Sequence, residues 1–234
     1  MSEPLRIALV AEGYTDKVVI EAAISSLIGE RSYILRLLQP EESLPFDCSH
    51  PYTGTGRGWG GVYLWCLDSR QRGDGRVAGD PLFLAYDILI IHLDADVADK
   101  RYSDYGFDDP SEDLPCDCPC PPASATTGNL RMVLVRWMGE IEIPPKTVVC
   151  TPSKCTETWV LAALCPDDRF MKSRDWECYP TPQNRLASLP KDRRITKSIR
   201  SYRDHFEGMK SGWPEARALL AEAERFSQEF LNVV

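Results

Sequence analysis

No apolar run in the 234 residues approaches the ~20 consecutive positions that a membrane-crossing helix requires, so a membrane-spanning role is not expected. The N-terminal Met1-Ser2-Glu3-Pro4 leads into a strand pattern without a charged and apolar leader, which makes the cytoplasm the expected compartment. Positive charge is in deficit. The 27 Lys and Arg face 35 Asp and Glu, a formal net charge of -8, which argues against a chain that coats nucleic acid over its whole surface. There is no internal repeat, and no glycine-rich loop ends in Gly-Lys-Ser/Thr, so ATP hydrolysis by a P-loop is not indicated. An even cysteine count is missing too. Nine cysteines without a signal peptide read mostly as free thiols, and Cys150, Cys155 and Cys165 sit among apolar residues, where a thiol behaves as a small hydrophobe.

Charge is unevenly spread. Arg185 to Lys210 holds eight Lys or Arg against three acids, whereas residues 1–184 carry a net charge of -11, so a basic C-terminal segment follows an acidic body. Apolar runs of strand length at Leu5–Ala11, Tyr33–Leu38, Ile88–Leu93 and Thr147–Thr151 alternate with helical patterns at Asp16–Ile28, Val62–Arg70, around Leu130–Met138 and at Thr156–Leu164. This alternation predicts an α/β fold with a mainly parallel sheet flanked by helices. Residues 98–128, rich in proline, cysteine and acids, read as an insertion. The expected organisation is one main domain over residues 1–165 and a basic helical extension over 166–234, with helices at Thr196–Met209 and Pro214–Leu231.

Two strand ends stand out. Leu9-Val10-Ala11-Glu12-Gly13-Tyr14-Thr15-Asp16 and Ile90-Ile91-His92-Leu93-Asp94-Ala95-Asp96 both stop abruptly at carboxylates, and in a parallel sheet such ends lie at the carboxyl edge, where ligands bind. Gly13 allows the turn, Asp16 follows Glu12 by one helical turn, and Asp94 and Asp96 share one side if the chain is extended. Acids gathered at one edge repel one another unless a divalent cation offsets them, which points to magnesium, or manganese, and phosphoryl chemistry. The competing reading takes Asp94 and Asp96 as a strand-ending turn or a helix cap.

The motifs Val10-Ala11-Glu12-Gly13-Tyr14-Thr15-Asp16 and Leu93-Asp94-Ala95-Asp96 resemble the two signature motifs of the Toprim domain, over roughly residues 5–165. The resemblance implies acid-base or metal chemistry for Glu12 and metal binding for Asp94 and Asp96. Thr151-Pro152-Ser153-Lys154-Cys155-Thr156-Glu157-Thr158-Trp159 looks like the further acidic element of nuclease-type members, which makes Glu157, with Asp16, a candidate for a second metal position. Glu157 reads equally as a first-turn acid complementing the helix dipole. The combined pattern is similar to the overcoming-lysogenization-defect nucleases and to small stand-alone Toprim-like proteins of bacterial defence loci, which implies an antiviral setting and a partner ATPase.

Four further features have two readings each. Gly54–Gly61 with Arg57 suits a phosphate cradle or a plain flexible turn, and Trp59 reads as a core anchor. Cys116, Cys118 and Cys120 suggest zinc, although a fourth ligand is lacking unless Cys48 and His50 fold back; a thiol-bearing loop is the alternative. His92 reads as a core histidine and His205 as a surface one. Lys197 and Arg200, with Tyr202 as a stacking face, suit contact with a nucleic-acid backbone or a solvated helix face.

The expectation is therefore a magnesium-dependent nuclease acting on DNA or RNA, with catalytic Glu12, Asp94 and Asp96. No tyrosine can be assigned to topoisomerase-type covalent cleavage. Two competitors are a non-catalytic Toprim-like regulatory subunit that binds an ATPase or nucleic acid, and a metal- and nucleotide-dependent transferase. A haloacid-dehalogenase-type phosphatase fits less well, because Val97-Ala98 follows the Asp-x-Asp where that chemistry uses Gly-Thr.

Overall fold

The computed structural model describes residues 3–40, 58–108, 111–168, 171, 176–191 and 193–234. Arg57, Cys48, His50 and the glycines before Gly58 lie outside the described residues. Strands β1 (Leu5–Val10), β2 (Tyr33–Gln39), β3 (Ile88–His92) and β4 (Thr147–Cys150) form one sheet in the order β2-β1-β3-β4, and every neighbouring pair is parallel. Parallel neighbours cannot be joined by a tight hairpin, so the chain returns through helices. These are α1 (Tyr14–Ile28), α2 (Trp59–Arg72) and α3 (Ala123–Trp137), and α4 (Thr156–Leu164) follows β4. The protein is thus an α/β fold with a parallel sheet covered by helices, as the alternating pattern predicts.

Side chains alternate across a strand, and here both faces are apolar. Ile7, Leu9, Ile88, Ile90 and Val148 face one core with α1 and α4; Ala8, Val10, Leu89, Ile91 and Val149 face the other with α2 and α3. In the second core Trp59 is 7% exposed and packs against Tyr102, Tyr105, Phe107 and Trp137, the anchoring role its sequence context suggests.

The C-terminal extension folds as α5 (Pro182–Ala187), α6 (Ile199–Asp204), α7 (Phe206–Ser211), α8 (Trp213–Leu219) and α9 (Ala221–Val233). Its buried Tyr202, Met209, Trp213, Phe226 and Phe230 belong to the same core as α1 and α4, with Trp159 and Trp213 ring centres 5.2 Å apart. The extension therefore completes one face of the sheet. The two long helices expected here are each broken in two. His205 donates its Nδ1–H to the Ser201 carbonyl at 2.8 Å as the chain turns between α6 and α7, and Leu220 adopts an extended conformation between α8 and α9.

The described residues of the 98–128 segment are held by specific contacts. Turns at Ala95–Asp99 and Tyr102–Tyr105 precede a segment fixed by Asp113, which accepts from Tyr102 Oη at 2.9 Å and pairs with Arg136. Helix α3 begins at Ala123, seven residues before the first apolar position that marks it in the sequence. Cys120 is bonded to Cys178, while Cys116 and Cys118 are free. The Cys120 sulfur is thereby committed elsewhere and is not a third partner for Cys116 and Cys118, against the zinc reading of the three. Cys66, Cys150, Cys155 and Cys165 are free and buried.

Candidate metal centre at the carboxyl edge

In the order β2-β1-β3-β4 the chain leaves β1 in one direction to reach β2, while β3 and β4 lie on the other side. The crevice at such a reversal, beyond the carboxyl ends of the strands, is where open α/β sheets bind ligands. Here it opens between the ends of β1 and β3, with Val10 paired to Ile91, and the two acidic strand ends project into it. The backbone N–H of Asp94 donates to Glu12 Oε1 at 2.7 Å, joining positions 82 apart in sequence.

The turn after β3 is fixed on its other side by the turn after β4. Leu93 N–H donates to the Cys150 carbonyl, Ala95 N–H to Pro152 and Asp96 N–H to Lys154, at 3.0–3.1 Å. This places Asp94 at the start of α4, where the Thr156 N–H donates to its Oδ1 at 3.1 Å. The same oxygen lies 3.0 Å from His92 Nε2. Thr156 also donates its hydroxyl to Asp16 Oδ1 at 2.7 Å, so the first turn of α1 joins the pocket. A β-carbon at Gly13 would lie 3.3 Å from Asp16 Oδ2, close enough that the carboxylate would have to give by a few tenths of an ångström. The end of the glycine-rich loop also borders the site, with Gly58 N–H donating to the Glu12 carbonyl at 2.9 Å.

Glu12, His92 and Asp94 each offer a ligand atom within 4.8 Å of the other two, the one group of this kind among the described residues. Two carboxylates and an imidazole suit a divalent cation. The carboxylates accept magnesium or manganese, and the imidazole shifts the preference from magnesium toward transition metals. His92 Nε2 faces Asp94 Oδ1, while its Nδ1 is buried with no hydrogen-bond partner among the described residues. Burial, with repulsion from Asp94 and Asp16, holds the Glu12 carboxyl well above the ordinary carboxylate range. Asp94 is raised well above it too, by burial first and then by Asp16, Asp96 and Glu157. A bound cation would offset that repulsion.

Asp96 is placed differently from the sequence expectation. The strand ends at His92 and the chain turns at Ala95–Asp99, so Asp96 stands on the exposed rim, and the residues that alternate toward the pocket are His92 and Asp94. Glu157 is 1% exposed beside the pocket, where Oε1 accepts from Tyr202 Oη at 2.9 Å and lies 3.3 Å from Lys197 Nζ. Burial pushes its carboxyl up, but Lys197, Cys155 and Tyr202 more than offset this and hold it below the usual range. Lys197 thus reaches the acidic pocket, whereas Arg200 lies on the exposed side of α6. Tyr202 offers no stacking face, being 1% exposed with its hydroxyl on Glu157.

His92, expected in the core, and Tyr202, expected as a stacking face, both border the pocket, as does Thr156, to which the sequence assigns no role there. For His92 the signal was present, because it sits two residues before Asp94 at the end of a strand, the spacing that puts both side chains on one face. The chain matches no family model, no curated protein and no solved structure.

Proposed function

We propose that the protein is a divalent-metal-dependent nuclease that hydrolyses phosphodiester bonds in DNA or RNA. The observation that carries this reading is the 2.7 Å hydrogen bond from the Asp94 amide to Glu12, which brings the two acidic strand ends to one crevice. The Toprim resemblance assigns its chemistry to the same two positions.

When bound, a cation at Glu12, His92 and Asp94 would supply positive charge to the phosphate under attack. The other tasks fall to the chain. Thr156 N–H holds Asp94 Oδ1, which fixes the carboxylate's direction. Glu12, beside the cation, would take the proton from the attacking water as a new phosphorus–oxygen bond forms and the bond to the leaving oxygen breaks. Lys197 would donate hydrogen bonds to non-bridging or departing oxygens, adding positive charge where negative charge accumulates.

The test is cleavage of plasmid DNA and of structured RNA with manganese or magnesium, by the native chain and by Glu12→Ala and Asp94→Ala. Each variant is expected to lose roughly 10²-fold or more in rate while keeping the native circular dichroism spectrum. Equal cleavage by folded variants and parent would defeat the reading.

A further inference from the structure

The number of cations used is decided by what surrounds each carboxylate, and the following inference rests on the nuclease reading. We propose that Lys197 occupies the place of a second metal ion, so that the site combines one bound cation with one built-in ammonium.

A second ion beside Asp94 would draw on Asp16 and Glu157, the buried acids whose charge bears on Asp94, Asp96 being on the exposed rim. Both are already supplied by the protein. Asp16, 6% exposed, receives the Thr156 hydroxyl at 2.7 Å. Glu157, 1% exposed, receives the Tyr202 hydroxyl at 2.9 Å and stands 3.3 Å from Lys197 Nζ on the same oxygen. A cation bound to that oxygen would sit beside the ammonium, where like charges repel in a partly desolvated pocket.

The construction also explains why the basic C-terminal segment is attached to this sheet. Lys197 lies just before α6, and Tyr202 on α6 is buried in the core shared with α1 and α4. The extension therefore carries a fixed donor for Glu157 and, five residues earlier, a cation at the mouth of the pocket. The Lys197 side chain is 67% exposed, so its ammonium stands where a phosphate entering from solvent would meet it. An ammonium is a compact point charge with three donors, able to serve both Glu157 and a phosphate oxygen.

The experiment is a manganese titration of the full chain, followed by calorimetry and by the electron paramagnetic resonance signal of free manganese. The native chain is expected to bind about one ion. Lys197→Met, which removes the ammonium from an exposed position, is expected to bind about two, and Lys197→Arg, which keeps the charge, about one. Two ions on the native chain would overturn the inference and leave the nuclease reading standing. One ion on folded Lys197→Met would overturn it as well, because Lys197 would then not be what keeps the second ion out. No ion on the native chain would defeat the metal reading itself, and this inference with it.

Discussion

The Thr156 hydroxyl donates to Asp16 Oδ1 at 2.7 Å across 140 positions of sequence, and the same residue's backbone N–H reaches Asp94. One fully buried residue at the start of α4 thus ties the first turn of α1 to the end of β3. Replacing Thr156 by valine keeps its shape and removes the donor, leaving a buried carboxylate short of one hydrogen bond. Such a loss costs about 1–3 kcal/mol. Thermal unfolding should show a lower midpoint for Thr156→Val and near-native behaviour for Thr156→Ser. An unchanged midpoint for the valine variant would mean that the bond contributes nothing.

Two glycines give opposite expectations for the same substitution. Gly212, between α7 and α8, has a negative φ of -88°, so its backbone imposes no requirement; but a β-carbon there would run into the Ala163 carbonyl of α4. Overpacking of this kind costs about 1–3 kcal/mol. Gly128, within α3, has nothing within 4 Å of the position a β-carbon would take, and alanine is the better helix residue by about 0.5–1 kcal/mol. Denaturant unfolding should show Gly212→Ala destabilised and Gly128→Ala stabilised. The reverse order would contradict the packing of α8 against α4.

Glu222 yields a pH-dependent expectation away from the metal site. It is 3% exposed at the start of α9, accepts from Thr127 Oγ1 at 2.8 Å and pairs with Arg225 at 3.2 Å. Burial outweighs these partners and raises its carboxyl above the ordinary range. Between the unfolded value near ~4.3 and the raised folded value, the native state holds more proton than the unfolded one, so stability falls as pH rises through that window. Glu222→Gln removes this titration. Relative to the native protein, the variant should gain stability as pH rises across the window and level off above it. Parallel stability profiles would show that Glu222 titrates as an ordinary carboxylate.

Much of this architecture is legible in the residues. The Ile88-Leu89-Ile90-Ile91 run, buried on both faces, can only be an inner strand, and Thr156–Leu164 has the same bounds in sequence pattern and structure. The meeting of Glu12 with Asp94 follows from reading both as strand ends of one parallel sheet. Less legible are features set by tertiary packing. The break at His205 depends on an imidazole bonding back to Ser201, and the break at Leu220 on turning Trp213 and Phe226 into one aromatic cluster; neither position carries glycine or proline. The place of Asp96 is hidden because strict alternation ends with the strand at His92 and the backbone turns beyond it. The burial of Tyr202 is hidden because basic neighbours dominate its segment, while its hydroxyl partner Glu157 lies 45 positions away.

Whether Glu12 and Asp94 hold one cation between them is read from manganese affinity, measured calorimetrically on the native chain, Glu12→Gln and Asp94→Asn. Both substitutions keep shape and remove a ligand charge. Shared ligation requires saturable binding by the native chain and at least ~10-fold weaker binding by each folded variant, a loss of about 1.4 kcal/mol or more. Undiminished manganese affinity in both variants would contradict it.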